Sequence, residues 1–145
     1  MSATSIALKA PAKLNLFLHV VGRRADGMHL LESVFVLIDL CDDIVLEFGP
    51  SGKISRTGDV IGDMDKDLCV RAAHRLQQIS GTRLGCNIHV KKRIPAGAGM
   101  GGGSSDCAST LMGLNKLWGL NWPQEKLMSI GESLGADVPF FLFGQ

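Results

Sequence analysis

No stretch of this 145-residue chain runs for about eighteen apolar residues without interruption, so the sequence holds nothing of the length a bilayer-spanning helix needs. An excess of charge is missing too. Fifteen Lys and Arg stand against 14 Asp and Glu, a net of +1, which removes general electrostatic attraction as a reason to expect nucleic acid or an anionic membrane as partner. Cysteine is scarce and scattered: Cys41, Cys69, Cys86 and Cys107 form no C-x-x-C pair, and none lies near a histidine at ligand spacing. That argues against a zinc centre or a disulfide framework and for buried free thiols in a reducing cytoplasm. The opening MSATSIALKAPAK has no basic segment followed by an apolar one, so it does not read as a signal peptide.

What is present is ample apolar material for about one domain, 46% of residues. The first half has β character. Leu14, Leu16 and Leu18 alternate with Asn15, Phe17 and His19, the period of a strand. LLESVFVLIDL, DIVLEFG, KISRTG and GCNIHVKKRIP are further strand candidates, with an Asp-Gly turn at 26–27, a turn at GPSGK and an acidic loop at DVIGDMDKD. A helix is expected to begin near Asp67, with Cys69, Ala72, Ala73 and Leu76 on one face. A second fits 104–118, striped by Cys107, Leu111, Leu114 and Trp118. A third opens with Pro123 in its first turn, buries Leu127, Ile130 and Leu134, and has Gly135 as C-cap. The closing GADVPFFLFGQ reads as a buried strand, and ending there suggests the front part of a longer protein. Strands first and helices second favour α+β over alternating βαβ units.

The most informative segment is IPAGAGMGGGSSDCAST, 94–110, with five glycines. Gly97, Gly99, Gly101, Gly102 and Gly103 carry no Cβ, so backbone amides there can turn toward a bulky anion. Ser104, Ser105 and Asp106 suit the cap and first turn of a helix, whose positive end would face the loop. Convergent amides on a helix N-terminus make a phosphate site. A plain glycine hinge is the simpler reading, but it needs neither Ser-Ser-Asp at the junction nor Pro95 at the entrance. No Gly-Lys-Ser/Thr follows, so this is not a P-loop. Gly97, Gly99 and Gly102 match G-x-G-x-x-G, but the preceding strand NIHVKKR is half polar, unlike the first strand of a dinucleotide fold.

Two other segments bear on chemistry. Lys13 opens an apolar strand and shares a face with Asn15 and Phe17; it could equally be an edge gatekeeper. Asp137 stands between a helix end and an apolar run. It is either a solvated loop residue or a carboxylate in need of a cation, for which Lys13 is the natural partner. Together the three segments suggest phosphoryl transfer, with the loop holding a nucleoside triphosphate, Asp137 accepting the acceptor hydroxyl's proton and Lys13 offsetting charge.

The glycine segment resembles the phosphate loop of the GHMP kinases, the superfamily of galactokinase, homoserine, mevalonate and phosphomevalonate kinases. APAKLNLFLHVVGRRADGMH, LNKLWGL and LGADVPFFLFG narrow the resemblance to the branch whose acceptor is a cytidine diphosphate-linked methylerythritol, in non-mevalonate isoprenoid synthesis. The resemblance spans Ala10 to Gly144. It implies a ribosomal-protein-S5-domain-2-like α+β fold, with 1–145 as the N-terminal ATP-binding domain and the C-terminal domain absent. It implies ATP and Mg2+, a small-molecule substrate, and neither nucleic acid nor membrane as partner. Lys13 and Asp137 take the catalytic places. Pro95, Ala96, Gly97, Ala98, Gly99, Met100, Gly101, Gly102, Gly103, Ser104 and Ser105 take those of the ATP loop. Asn15 and His29 fall at substrate positions, His29 on the cytosine edge, and Asp67 and Lys92 lie in segments bordering the nucleotide. No metal ligand is assigned. Met28 stands where the pattern has a tyrosine that stacks on cytosine, and the chain has no tyrosine at all; Met100 and Cys107 replace the pattern's Leu and Ala. Other acceptors within the superfamily, a non-catalytic nucleotide-binding module and a dinucleotide oxidoreductase are the alternatives.

Overall fold

The computed structural model describes residues 4–23, 29–59, 66–95 and 100–143, and side chains within these except 15–23 and 29–35. Among the described residues eight elements follow one another: β1 (Ser5–Arg23), β2 (His29–Gly49), β3 (Ile54–Gly58), α1 (Leu68–Ser80), β4 (Gly85–Lys91), α2 (Gly102–Leu117), α3 (Gln124–Leu134) and α4 (Val138–Phe143). The strands form one sheet in the order β1-β2-β4-β3. β2 pairs antiparallel with β1 and β4, while β3 and β4 run parallel. The fold is α+β as expected, with one β-α-β unit, β3-α1-β4, set inside it. The two strand candidates at 30–40 and 43–49 are one continuous strand, β2.

One face of the sheet is apolar and carries the helices. Ala10, Ile44, Leu46, Ile88 and Val90 are fully buried there against Ala72, Ala73 and Leu76 of α1 and Ala108, Leu111 and Leu114 of α2. The other face is polar, with Ser55 bonded to Asn87 and Thr57 to His89 across β3 and β4. Each helix buries the stripe its spacing predicts: Cys69, Ala72, Ala73 and Leu76 on α1, and Leu127, Ile130 and Leu134 on α3. Asp67 caps α1, its Oδ1 accepting from the amides of Cys69 and Val70, while Arg56 of β3 reaches its other oxygen at 3.2 Å.

Four expectations are corrected. The closing apolar run is the short helix α4, not a strand: Val138, Phe141 and Leu142 are buried at helical spacing, i, i+3 and i+4. α2 starts at Gly102, two residues before the expected 104, so Ser104 and Ser105 lie inside the helix and Gly101 takes the cap position. Gly135 does end α3, but with extended backbone (φ −173°) rather than a left-handed turn. Cys41 is only half-buried, although Cys69, Cys86 and Cys107 are buried free thiols. The Asp-Gly turn at 26–27 and most of the acidic loop lie outside the described residues.

The interior leaves no room at Gly85. A Cβ there would stand 2.2 Å from the carbonyl oxygen of Lys53, and the Gly85 carbonyl also accepts the buried Trp118 indole N–H at 3.1 Å. Gly85→Ala is therefore expected to destabilise the fold by about 2 kcal/mol or more, measured by urea unfolding; unchanged stability would show that the β3–β4 join is looser than described.

Candidate functional site

An irregularity in β1 positions Lys13. The register shifts between Pro11, opposite Cys41, and Lys13, opposite Leu37, so Ala12 alone faces three residues of β2. Ala12 and Lys13 are consecutive and both buried, which breaks the alternation and turns the lysine inward. β1 is an edge strand, where the missing N–H of Pro11 is tolerated. The Lys13 amide bonds not to the sheet but to the carbonyl of Met100, at 2.9 Å. The loop end is thereby fastened to the strand that carries the lysine.

Asp137 comes to the same place from the other end of the chain. It lies in the turn before α4, half-exposed, and its Oδ2 stands 3.6 Å from Lys13 Nζ. The two residues singled out in the sequence, 124 positions apart, are thus an ion pair, with the lysine side chain 8% and the aspartate 51% exposed. Asp137 is accordingly not a buried carboxylate; its open side faces solvent.

Between them begins α2. Gly101 has left-handed backbone (φ 72°) and provides no side-chain cap. A Cβ on it would stand 2.8 Å from Phe141 Cζ and 2.9 Å from Lys13 Cε, so glycine is required by both backbone angle and space. The first intrahelical bond runs from the Ser105 amide to the Gly101 carbonyl. Helix geometry leaves the amides of Gly102, Gly103 and Ser104 without intrahelical partners, at the positive end of a sixteen-residue dipole. Pro95 is exposed at the loop entrance, and Met100, Gly101, Gly102 and Ser104 are half-buried. Ala96, Gly97, Ala98 and Gly99 lie outside the described residues, as does Met28. The backbones of Asn15 and His29 pair with Phe35 and Arg23, and their side chains are outside the description.

Sequence reasoning missed what stands beneath the loop. Asp42 of β2 is fully buried and accepts the amides of Arg93 and Ile94 at 2.7 and 2.9 Å. Lys92 Nζ donates to Asp42 at 2.6 Å and to Asp106 of α2 at 2.9 Å. Burial alone would raise Asp42, but bonds from Asp106, the Ile94 amide, Lys92 and the Arg93 amide outweigh it and hold the carboxyl below its usual range. Asp106 goes the other way: burial, then the neighbouring Asp42, push it up to about 8. Its Oδ1, Ser105 Oγ and Ser109 Oγ are buried with no hydrogen-bond partner among the described residues. The signal was available in the Asp-Asp of CDDIV and the Lys-Lys-Arg of VKKRIP, polar residues interrupting strands that otherwise bury apolar faces.

Among the described residues no cluster of His, Cys, Asp or Glu could hold a metal ion, and no helix is long and apolar enough to cross a membrane.

The family model for the GHMP kinases N terminal domain matches residues 67–145, more than half the chain, and takes in α2, Asp137 and the glycine segment. The chain belongs to the GHMP kinases. Its relatives include the 4-diphosphocytidyl-2-C-methyl-D-erythritol kinases of Ralstonia nicotianae and Paracidovorax citrulli, 58% identical over 94% and 59% identical over 95% of this chain. A crystal structure of 4-(cytidine 5'-diphospho)-2C-methyl-D-erythritol kinase superposes on 97% of the chain with TM-score 0.77 and 40% identity. Homoserine kinase from Cytophaga hutchinsonii, 17% identical with TM-score 0.70, shares the fold. This GHMP domain spans about half the length of those curated relatives, 47% and 48%.

Two measurements check the buried cluster of this kinase domain. Asp42→Ala, which takes one of two carboxylates from Lys92 and leaves the amides of Arg93 and Ile94 without their acceptor, is expected to cost about 3–5 kcal/mol in chemical unfolding; a loss within about 0.5 kcal/mol would contradict the network. Unfolded, Asp106 releases its proton near 3.8; folded, it keeps it to about 8. Between those values only the folded state carries the proton, so wild-type stability falls with rising pH by up to about 1.4 kcal/mol per unit. Asp106→Asn lacks that titration and should gain on wild type from pH 5 to 8; a stability difference flat across that range would refute the shift.

Proposed function

We propose that residues 1–145 are the nucleotide half of an ATP-dependent kinase that phosphorylates a hydroxyl of 4-diphosphocytidyl-2-C-methyl-D-erythritol in isoprenoid synthesis, with the rest of the acceptor pocket supplied by a second domain like that of the longer relatives. The observation that supports this most is the meeting of three groups: the Lys13–Asp137 pair at 3.6 Å, the Met100 carbonyl bound to the Lys13 amide, and the uncapped start of α2. In this reading the loop from Pro95 to Ser105 holds the phosphates of Mg·ATP on main-chain amides. Asp137, open to solvent on one side, takes the proton of the acceptor hydroxyl as its oxygen bonds the γ-phosphorus and the bond to the β-phosphate oxygen breaks, releasing ADP. Lys13 offsets negative charge beside that carboxylate and on the transferring group. Asn15 and His29, on the paired strands β1 and β2, belong to the acceptor side. The cytidyl acceptor is favoured over homoserine or mevalonate by the 58–59% identity to kinases named for it.

In an enzyme carrying both halves, Asp137→Ala is expected to lower kcat about 10²–10⁴-fold while Mg·ATP still binds, measured in a coupled kinase assay with the diphosphocytidyl, homoserine and mevalonate acceptors side by side. An unchanged kcat would remove Asp137 from the role, and turnover confined to another acceptor would replace the substrate. The isolated 145-residue chain should bind Mg·ATP weakly and turn over little; robust turnover by it would show that no second domain is needed.

A further inference from the structure

The cluster under the loop has an unusual composition: two carboxylates and one ammonium, all nearly closed to water, with side-chain exposures of 0% for Asp42, 6% for Asp106 and 15% for Lys92. If both acids are ionised the trio carries −1, and the second oxygen of Asp106 has no hydrogen-bond partner among the described residues. Asp42 and Asp106 converge on the same ammonium, at 2.6 and 2.9 Å from Lys92 Nζ, and a single proton on the pair removes the repulsion two ionised carboxylates would feel there. The trio touches the loop directly. Lys92 Nζ would stand 3.1 Å from a Cβ on Gly102, the first residue of α2, and Asp106 is the fifth.

Resting on the phosphate-loop reading above, we propose that Asp106 is a positioning residue for the nucleotide: carrying a proton, it leaves the cluster neutral and Lys92 seated beneath Gly102, and losing it, it places a net negative charge behind the loop that repels the phosphates. Lys92 and Asp42 are the charged groups acting on it. The Cys69 thiol of α1 and the Cys107 thiol of α2 are within electrostatic range of it; burial pushes both up, Cys107 to about 12, so neither contributes charge. Lys13 and Asp137 stand on the far flank of Gly101. By reciprocity, a bound triphosphate makes Asp106 hold its proton more tightly.

The test is the Kd for Mg·ATP, by calorimetry on the 145-residue chain and on the enzyme with both halves, at pH values from 6.5 to 9.5, for wild type and Asp106→Asn. Wild-type affinity should fall about tenfold across the range, on the order of one unit charge acting through a partly screened medium. The variant, neutral at every pH, should hold the low-pH affinity throughout and so correct for titration of the nucleotide itself. Because a variant can misfold, the Asp106 carboxyl is also followed by carbon-13 NMR in wild type: its titration midpoint should lie far above the ordinary carboxylate range and rise further with Mg·ATP. An Asp106→Asn pH profile parallel to wild type, or a carboxyl that titrates near 4 or is unmoved by nucleotide, overturns the proposal while leaving the loop assignment standing. Absence of Mg·ATP binding at any pH rejects the loop assignment and this inference with it.

Discussion

A fully buried carboxylate, Asp42, governs how the site is held. It accepts the amides of Arg93 and Ile94 and the ammonium of Lys92, which fixes the three residues leading from β4 into the glycine segment. A single ion at that depth would be prohibitive without so complete a set of donors. Because Lys92 continues to Asp106, the same ion ties the start of α2 to the sheet. The loop is therefore anchored on its entry side by a charge network and on its exit side by the Lys13–Met100 hydrogen bond. A glycine-rich segment has much entropy to lose, and both its ends are clamped by bonds that do not involve its own side chains.

The two clamps divide labour. The irregularity in β1 turns Lys13 inward toward the loop, where its ammonium meets a half-exposed carboxylate. The Asp42 cluster lies on the opposite flank, largely closed to solvent. One pair stands open to a reactant; the other acts only through what it supports. Gly101 sits between them, kept without a side chain by Phe141 and Lys13.

Much of this was legible in the residues. The helical stripes of α1 and α3 and the start of α1 near Asp67 follow from spacing, and the pairing of Lys13 with Asp137 from the cost of an unpaired charge, though it is the lysine and not the aspartate that is buried. The α2 boundary was not legible, because glycines are poor helix formers and serines are favoured caps; packing of Ile94 and Lys92 against Gly102 overrides both preferences. α4 was misjudged because a short apolar run has no period of its own until Gly131 of α3 and Gly135 just after it make room for Val138 and Leu142. The Asp42–Lys92–Asp106 network joins positions 64 residues apart, on β2, just past β4 and on α2, a proximity that the β2–β4 register and the seat of α2 create.

The central claim is that main-chain amides at the start of α2 grip a nucleotide's phosphates beside Lys13 and Asp137. An amide-resolved NMR titration of the 15N-labelled chain with Mg·ATP tests it most directly. The account predicts that the largest shifts fall on Met100 to Ser105 and on Lys13. Saturable binding that leaves those amides unmoved while shifting the polar outer face of the sheet would contradict it.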